Sequence, residues 1–445
     1  VTIDMTSMEK ITDFNKETGT FNWTCPDPSA QWQIIAVYSM YVGSNPIGSV
    51  EVGAPGEESY MVNVLDADAV ARYYDNWLEQ IKTLLPYTED GTLRAAFNDS
   101  YEFFAQRIYS DTVLEDFEEI NGYDITDYTP ALLMPGKDQI ASFFVGDRAP
   151  EFAFEDTENA GINDRLNYDY NKAVANGFYD GWYTGSQEAL KDTGLLFRQQ
   201  GYNTPMDIIK ATSMEDIPET EQSNVANNKV VSSGAHFYDK NMVSCESMVF
   251  YVDEDGAGNF KMTPEVYRQQ ADQILSSGVN EMIYHGFPYV YNDETNSYGV
   301  QNWSAFCSGY SGYDISTTIS EVDPYFNYIN SLNDYVARLQ YLFREGKSTA
   351  DVLVYLPLFA DETSTQFAPV INALDDAGLA WDWINEELIE SATYDNGIVV
   401  NGKTYDALVI PDVSSIPVST MTAIDQLSSA GAPIAVYGTT PYMQP

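Results

Sequence analysis

The sequence predicts an α/β protein built on a (β/α)8-type barrel, with a small N-terminal β domain before it and a small C-terminal doubly wound α/β domain after it. Three observations carry this. Strands that are apolar on both faces, such as "VNEMIYHGF" and "DVLVYLP", each follow a helix-patterned segment, as a parallel sheet covered by helices requires. The opening residues instead alternate short aromatic and β-branched runs with Pro, Asp and Ser, the pattern of antiparallel strands. Past residue 365 the units shorten into tightly spaced strands and helices, the mark of a doubly wound sheet. The expected boundaries are 1–60, 61–365 and 366–445.

Along the chain, "GTFNWTC" and "QWQIIAVYSMYVG" are the expected strands of the β domain. Over 65–85, Val70, Tyr73, Tyr74, Trp77, Ile81 and Leu84 recur at helical spacing behind Asp66 and Asp68, and Pro86 stops the run. Residues 93–97 form the opening barrel strand, which breaks directly into Asp99, Ser100, Tyr101 and Glu102. Thr112 with Glu115 reads as a capping box before Leu114, Phe117 and Ile120, with Gly122 as the stop. The polar stretch 135–171 is expected to run over the barrel mouth. Thr263 and Pro264 start a helix that ends near Gly278, before "VNEMIYHGF"; Asp323 and Pro324 start another that ends at Gly346, before "DVLVYLP". The last domain holds a helix around 370–377, "AWDWI", "YDALVIPD", a helix around 421–427 and "APIAVYG". No closing element follows that last strand, so a piece of a longer protein is expected.

Composition narrows the function classes. Twenty-one Lys and Arg against 67 Asp and Glu give a net charge of -46, which repels nucleic acid and anionic membrane alike. Neither is an expected partner. The charge is dispersed, which suits a secreted or salt-adapted surface, with calcium or a cationic ligand as its other use. Cys25, Cys245 and Cys307 lie far apart without CxxC spacing, which argues against a zinc site or a disulfide scaffold and leaves one bridge possible. No apolar run reaches the roughly 18 residues needed to span a bilayer. The start, "VTIDMTSMEK", lacks the regions of a signal peptide, so any export signal lies outside the chain. No GxGxxG or GxxxxGK[ST] loop follows a strand, which leaves nucleotide binding unsupported.

The chemistry-bearing residues are few. The two histidines are His236 and His285, and no Ser or Cys sits in a GxSxG-like turn, so acyl transfer fits poorly. His236, in "SSGAHFY", has the apolar setting of a structural hydrogen bond; His285 ends a strand, where barrel enzymes place reactive side chains. Glu246 interrupts the apolar strand "NMVSCESMVF", where an unpaired carboxylate is costly, so it needs a partner or a purpose. Its neighbour Cys245 reads as a small buried side chain. Glu102 ends the opening strand in the same manner. Two such carboxyl groups meet the needs of glycoside hydrolysis, one protonating the leaving oxygen and one serving as nucleophile or activating water. "FYDGWY" and "NWSAFCSGY" are either sugar-stacking platforms or core, and glycosylation sequons occur at Asn22, Asn98 and Asn302.

In order along the chain, "GTFNWTCPDPSAQWQIIAVYSMY", "FNDSYEFFAQ", "NGYDITDYTPAL", "GLLFRQQGYNTPMDII", "IPETE", "SSGAHFYDKNMVSCES", "GVNEMIYHGFPY" and "YVARLQYLFREGKSTADVLVYLP" resemble glycoside hydrolase family 106, the α-L-rhamnosidases. The resemblance implies a calcium-dependent, inverting glycosidase with its catalytic glutamates on a (β/α)8 barrel, here Glu102 of "DSYE" and Glu246 of "SCES", with Glu102 favoured as the acid. It implies a third active-site glutamate at Glu221, with Glu219 competing for that position, and a substrate-pocket histidine at His285. His236 falls in a similar "AH.Y" piece and joins the candidate substrate contacts, as does Asp99. Calcium ligands are not assigned. The implied substrate is an oligosaccharide or polysaccharide carrying a terminal α-L-rhamnosyl or similar deoxy-sugar, of plant or microbial origin, and the implied location is extracellular. The terminal segment resembles the flavodoxin-like domain that accompanies several sugar hydrolases, and is expected to be truncated. Two departures stand out: family members supply barrel strands upstream that this chain lacks, and "NWSAFCSGY" is less aromatic than the family's Trp pair.

Two other readings stay open. One is a retaining β-galactosidase-like barrel, which also carries a flavodoxin-like domain; the other is a noncatalytic surface or assembly protein on a hydrolase scaffold. Carboxyl separation distinguishes the two enzymes, at roughly 6.5–9.5 Å for inversion and roughly 5–5.5 Å for retention. Glu102 is expected to face Glu246 across the barrel mouth.

Overall fold

The computed structural model describes residues 2–37, 61–101, 108–133, 152–155, 161–202, 204–221, 224–249, 263–285, 289–291, 301–303, 325–360 and 366–445. The chain divides into two compact units, one made of 1–73, 102–185 and 203–205, the other of 74–101, 186–202 and 206–445.

Helix α1 (Ala67–Ile81) starts in the first unit, where expected, because the Asp66 carboxylate accepts from the backbone N–H groups of Asp68 and Ala69 at 2.9 and 3.1 Å, and its residues from Tyr74 on belong to the second. Helices α2 (Val113–Asn121) and α3 (Ile162–Phe178) pack on each other around Phe117, which is fully buried and meets the edge of Tyr123 at 4.9 Å. The expected capping box does not form: Thr112 has helical backbone angles and makes no capping bond, so α2 starts on the burial of Val113 and Phe117 instead. Gly122 does end it, at φ +76°. In "FYDGWY" the helix loosens into a π turn, Tyr179–Tyr183, in which Trp182 and Tyr183 are buried core rather than a sugar platform. Gly181 permits this packing, since a Cβ there would sit 2.4 Å from the Val64 carbonyl oxygen.

The β domain expected over 1–60 is not built by its described residues. Thr2–Ile3 pairs in parallel with Ala153–Phe154, and "GTFNWTC" forms no strand beyond one isolated bridge between Asn15 and Thr20. Trp23 meets Trp32 edge-on at 5.6 Å, so these aromatic runs pack on each other instead of on a second strand. Residues 38–60 and most of 135–171 lie outside the described residues.

The second unit carries two parallel sheets. The first has the order β1 (Ala95–Asn98), β2 (Leu196–Gln200), β3 (Ile217–Glu221), β4 (Ser244–Ser247) and β5 (Glu281–Tyr284), with every neighbouring pair parallel. Helix α4 (Val225–Phe237) connects β3 to β4, and α5 (Pro264–Ser276) connects β4 to β5. Thr263 caps α5 by accepting from the Val266 N–H, with Pro264 at its first position, as the sequence predicts. The sheet is curled. Arg94, at the foot of β1, reaches Glu281 at the foot of β5 at 2.7 Å, although these are opposite edges. Four strand spacings of about 4.8 Å would hold the edges of a flat sheet roughly 19 Å apart, beyond an arginine's reach. Five of the eight strands that a closed barrel needs are thus among the described residues, as a curled half-barrel.

The second sheet has the order β7 (Trp381–Ile384), β6 (Val352–Tyr355), β8 (Ala407–Ile410) and β9 (Ile434–Val436), again all parallel and in a doubly wound order. Strand β6 is "DVLVYLP", expected in the barrel. It pairs with β7 and β8 instead, so the sheet boundary falls before residue 352 and not at 365. A buried parallel strand behind a helix looks alike in both sheets, which is why its pattern did not assign it. Helix α4 touches both layers: Val231 and Ala235 pack with Cys245 of β4, while the Ser233 hydroxyl accepts from the Trp383 N–H of β7 at 3.0 Å. None of the described helices is long and apolar enough to cross a membrane.

Candidate active site

Strand alternation places the site. On β4, Cys245 faces the helices, in a cluster with Val231, Ala235 and Ile274, so Ser244 and Glu246 project from the other face. On β3, Thr220 turns to Asn228 of α4 at 3.3 Å, so Glu219 and Glu221 share the opposite face. Glu221 and Glu246 are register partners across β3 and β4, and Glu219 and Ser244 form the row below. On β2, Arg198 and Gln200 project on this same face, since both reach Glu219. These side chains gather at the C-terminal ends of parallel strands, where such sheets present their loops for chemistry.

The two β3 glutamates differ in environment, which separates the candidates that the sequence left in competition. Glu219 is buried and fully engaged: Arg198 and Ser244 donate to one oxygen, and Gln200 donates to the other at 3.0 Å. It is a structural anchor. Glu221, one row nearer the strand end, accepts from the Tyr202 hydroxyl and remains partly open. Burial and the Glu221 charge push the Tyr202 hydroxyl far up, so it stays a donor.

Glu246 is held at both oxygens, by His285 Nδ1 on one and by Gln200 Nε2 at 2.7 Å on the other. His285 follows β5 directly, and its N–H donates to the Ser247 carbonyl at 2.6 Å, extending the ladder so that the ring lies beside Glu246. Met248 then takes φ +63° while buried, a left-handed conformation rare for a bulky side chain and typical of places where backbone strain is retained for a purpose.

The environments push the site's acids apart. Burial alone would raise Glu246, but the hydrogen bonds from His285 and Gln200 and the charges of His285 and Arg198 outweigh it and hold the carboxyl below its usual range. His285 is lowered by burial yet raised overall by its bond to Glu246 and by the surrounding negative charge. Glu221 is raised, first by burial and then by the Glu246 charge. Asp99, just past β1, is raised in the same way, by partial burial of its carboxyl and by Glu246 and Glu219, although its side chain as a whole stays accessible to solvent. The result is a Glu246 carboxyl favoured as the carboxylate by its bond to His285, beside two carboxyl groups, Glu221 and Asp99, raised from their ordinary values. That division is the one acid–base chemistry requires.

The pair's pH dependence has a definite sign. Glu246, with a lowered value, adds stability above its unfolded value, near 4.3, and loses it as pH falls through the folded value. His285, with a raised value, adds stability below about 6.5 and loses it as pH rises through the folded value. His285→Gln is therefore expected to lower the melting temperature most between about pH 4.3 and 6.5, with the deficit shrinking at higher pH. Thermal unfolding across a pH series checks this; a deficit independent of pH would contradict the ion pair.

Of the residues predicted from sequence, Glu246, His285, Glu221 and Asp99 converge here. His236 does not. It lies near the end of α4, where its ring meets the buried Asp382 of β7 at 2.9 Å, and the same carboxylate accepts from Ser233 and Tyr405. A helix residue facing the second sheet is a packing tie, and it leaves the substrate-binding set. Glu102 lies outside the described residues, as does Cys307. Cys25 and Cys245 are free, and burial pushes the Cys245 thiol far up, which leaves it inert. Sequence reasoning missed Arg198, Gln200 and Tyr202; the polar residues at alternate positions of "FRQQGY" were the available signal. Among the described residues no three His, Cys, Asp or Glu side chains converge to hold a metal ion. The Glu219, Glu221 and Glu246 carboxyls are engaged by Arg198, Gln200, Tyr202 and His285.

Residues 1–445 match the glycoside hydrolase 106 family model, described as alpha-L-rhamnosidase. A curated protein of Formosa agariphila, named "Putative beta-glucuronidase", is 23% identical over 446 residues, covering 98% of this chain and 34% of that protein. Among solved structures, a rhamnosidase from Novosphingobium sp. PP1Y aligns with a TM-score of 0.63 at 19% identity, over 99% of this chain and 40% of that one. A beta-galactosidase from Bacillus circulans sp. alkalophilus aligns at 0.50 and 12% identity, over 82% of this chain and 54% of that one. At these identities the structural likenesses speak to fold alone, and the chain spans only 34% of its curated relative's length.

Proposed function

The chain belongs to the glycoside hydrolase 106, alpha-L-rhamnosidase, family, and from that premise we propose that the protein hydrolyses terminal α-L-rhamnosyl or similar deoxy-sugar residues of plant or microbial glycans with inversion of configuration. The observation that carries the reading is Glu246, a carboxyl held at both oxygens by His285 and Gln200 at the mouth of a parallel half-barrel and lowered from its ordinary value, beside Glu221 and Asp99, which are raised from theirs. In this proposal Glu246 takes a proton from the attacking water, and His285 holds the carboxylate in its charged form. Glu102, a few residues past β1 along the sequence, is the proposed acid that protonates the leaving oxygen. Glu221 and Asp99 bind sugar hydroxyls.

Charge favours a neutral sugar. Asp99, Glu219, Glu221 and Glu246 crowd this face, while its cations Arg198 and His285 are already paired with Glu219 and Glu246. A uronic acid would bring another carboxylate into that field without a free cation to receive it among these residues. Calcium remains a proposal from the family resemblance, with ligands to be supplied from outside the described residues; it would neutralise charge near the sugar when bound. The net charge of -46 and the glycan substrate support an extracellular location.

The test is a panel of aryl α-L-rhamnoside, β-D-galactoside and β-D-glucuronide, each with and without chelator. The expected outcome is hydrolysis of the rhamnoside alone, lost on chelation and restored by calcium. Preference for the glucuronide would overturn the charge argument, and full activity after exhaustive chelation would remove the calcium proposal.

A further inference from the structure

The Gln200 side chain is buried inside the half-barrel, and its Nε2 donates to two carboxylates at once, to Glu219 at 3.0 Å and to Glu246 at 2.7 Å. Its orientation follows from chemistry, because ionised carboxylates only accept, so the NH2 group and not the oxygen must face both. Glu219 is a rigid anchor, itself buried and held by Arg198 and Ser244. Arg198, Glu219, Gln200 and Glu246 thus form one continuous chain from a cation at the sheet's inner face to the carboxylate at its mouth. Gln200 Oε1, by contrast, is buried with no hydrogen-bond partner among the described residues. An orphaned buried oxygen costs stability. Methionine would fill similar space here without that penalty, so the amide is kept for what its nitrogen does.

From this geometry we infer that Gln200 is a positioning residue for hydrolysis: it fixes Glu246 against the Arg198–Glu219 anchor and so sets the direction in which the carboxylate presents itself to water. The inference rests on the reading of Glu246 as the base. His285 clamps one Glu246 oxygen and Gln200 the other. With both oxygens held, rotation about the carboxylate's terminal bond is suppressed and the lone pair left on each oxygen keeps a fixed direction. Without Gln200 the carboxylate turns about its single remaining bond to His285, and the productive orientation becomes one of several.

The experiment compares Gln200→Met and Gln200→Glu with the unmodified protein, reading kcat and KM separately and the pH dependence of kcat/KM on an aryl α-L-rhamnoside, with Glu246→Gln alongside. For Gln200→Met, kcat is expected to fall about tenfold or more, as a lost hydrogen bond to a charged group implies, with KM changed by less than about twofold. The acid limb of kcat/KM is expected to move upward, since a donor that favours the ionised form of Glu246 is gone. Gln200→Glu keeps the shape of the side chain but adds a like charge, so the limb should move further up; this variant also carries the test if the methionine variant does not fold. An unchanged kcat and an unchanged acid limb in a folded Gln200 variant, beside an inactive Glu246→Gln, would overturn the inference alone. Retained turnover in Glu246→Gln would instead overturn the reading on which it rests, and the inference with it.

Discussion

Glu246→Gln is expected to reduce kcat on an aryl α-L-rhamnoside by at least about 100-fold, the usual scale for removing a general base. The substitution keeps side-chain volume but removes the site's ionised acceptor. A glutamine here can still accept one of the bonds from His285 and Gln200, but its own NH2 then faces the other donor, so a small loss of thermal stability accompanies the loss of turnover. KM is expected to change far less than kcat, because the lost interaction is with water in the transition state and not with bound sugar. The measurement is steady-state kinetics together with thermal unfolding. Near-normal kcat in a folded variant would remove Glu246 from the mechanism.

The second large effect depends on the leaving group. A general acid matters most when the departing oxygen is basic, and little when it leaves as a stable aryl oxide. Glu102→Gln is therefore expected to lose about 100-fold or more on an alkyl or sugar α-L-rhamnoside and much less on a nitrophenyl one. Glu221→Gln, as a hydroxyl-binding residue, is expected to lose a similar factor on both substrates. The opposite pattern would transfer the acid's role to Glu221, whose burial and proximity to the Glu246 charge already bias it toward the protonated state an acid needs. Kinetics on the paired substrates decides between the two.

What was legible in the sequence divides along physical lines. Glu246 and His285 could be found because a carboxylate inside an apolar strand, and a histidine just past one, each violate the burial pattern around them. Glu221 could be separated from Glu219 only by structure, since both lie on the same face two residues apart and only their neighbours differ. Gln200 and Arg198 alternate on β2 as Glu219 and Glu221 do on β3, yet neutral or basic residues in a strand raise less suspicion than buried acids. For His236 the apolar setting pointed rightly to a structural hydrogen bond, and only the family resemblance set it among the substrate contacts; what its local setting cannot reveal is that the facing layer is a second sheet, with Asp382 buried opposite. The same ambiguity misplaced β6, because helix followed by apolar strand describes a barrel and a doubly wound sheet equally well. Among the described residues, "GTFNWTC" forms no strand because alternation of aromatic and polar residues names a candidate, while a strand also needs a neighbour to pair with.

The central claim is that a carboxylate at Glu246 activates water for direct attack on the anomeric carbon. The most direct test is proton NMR of the first sugar released from an aryl α-L-rhamnoside by the intact protein, followed before mutarotation. Water-activated single displacement predicts that β-L-rhamnose appears first and then relaxes toward the equilibrium mixture. Initial formation of α-L-rhamnose would mean a covalent glycosyl-enzyme intermediate, and would contradict the role assigned to Glu246.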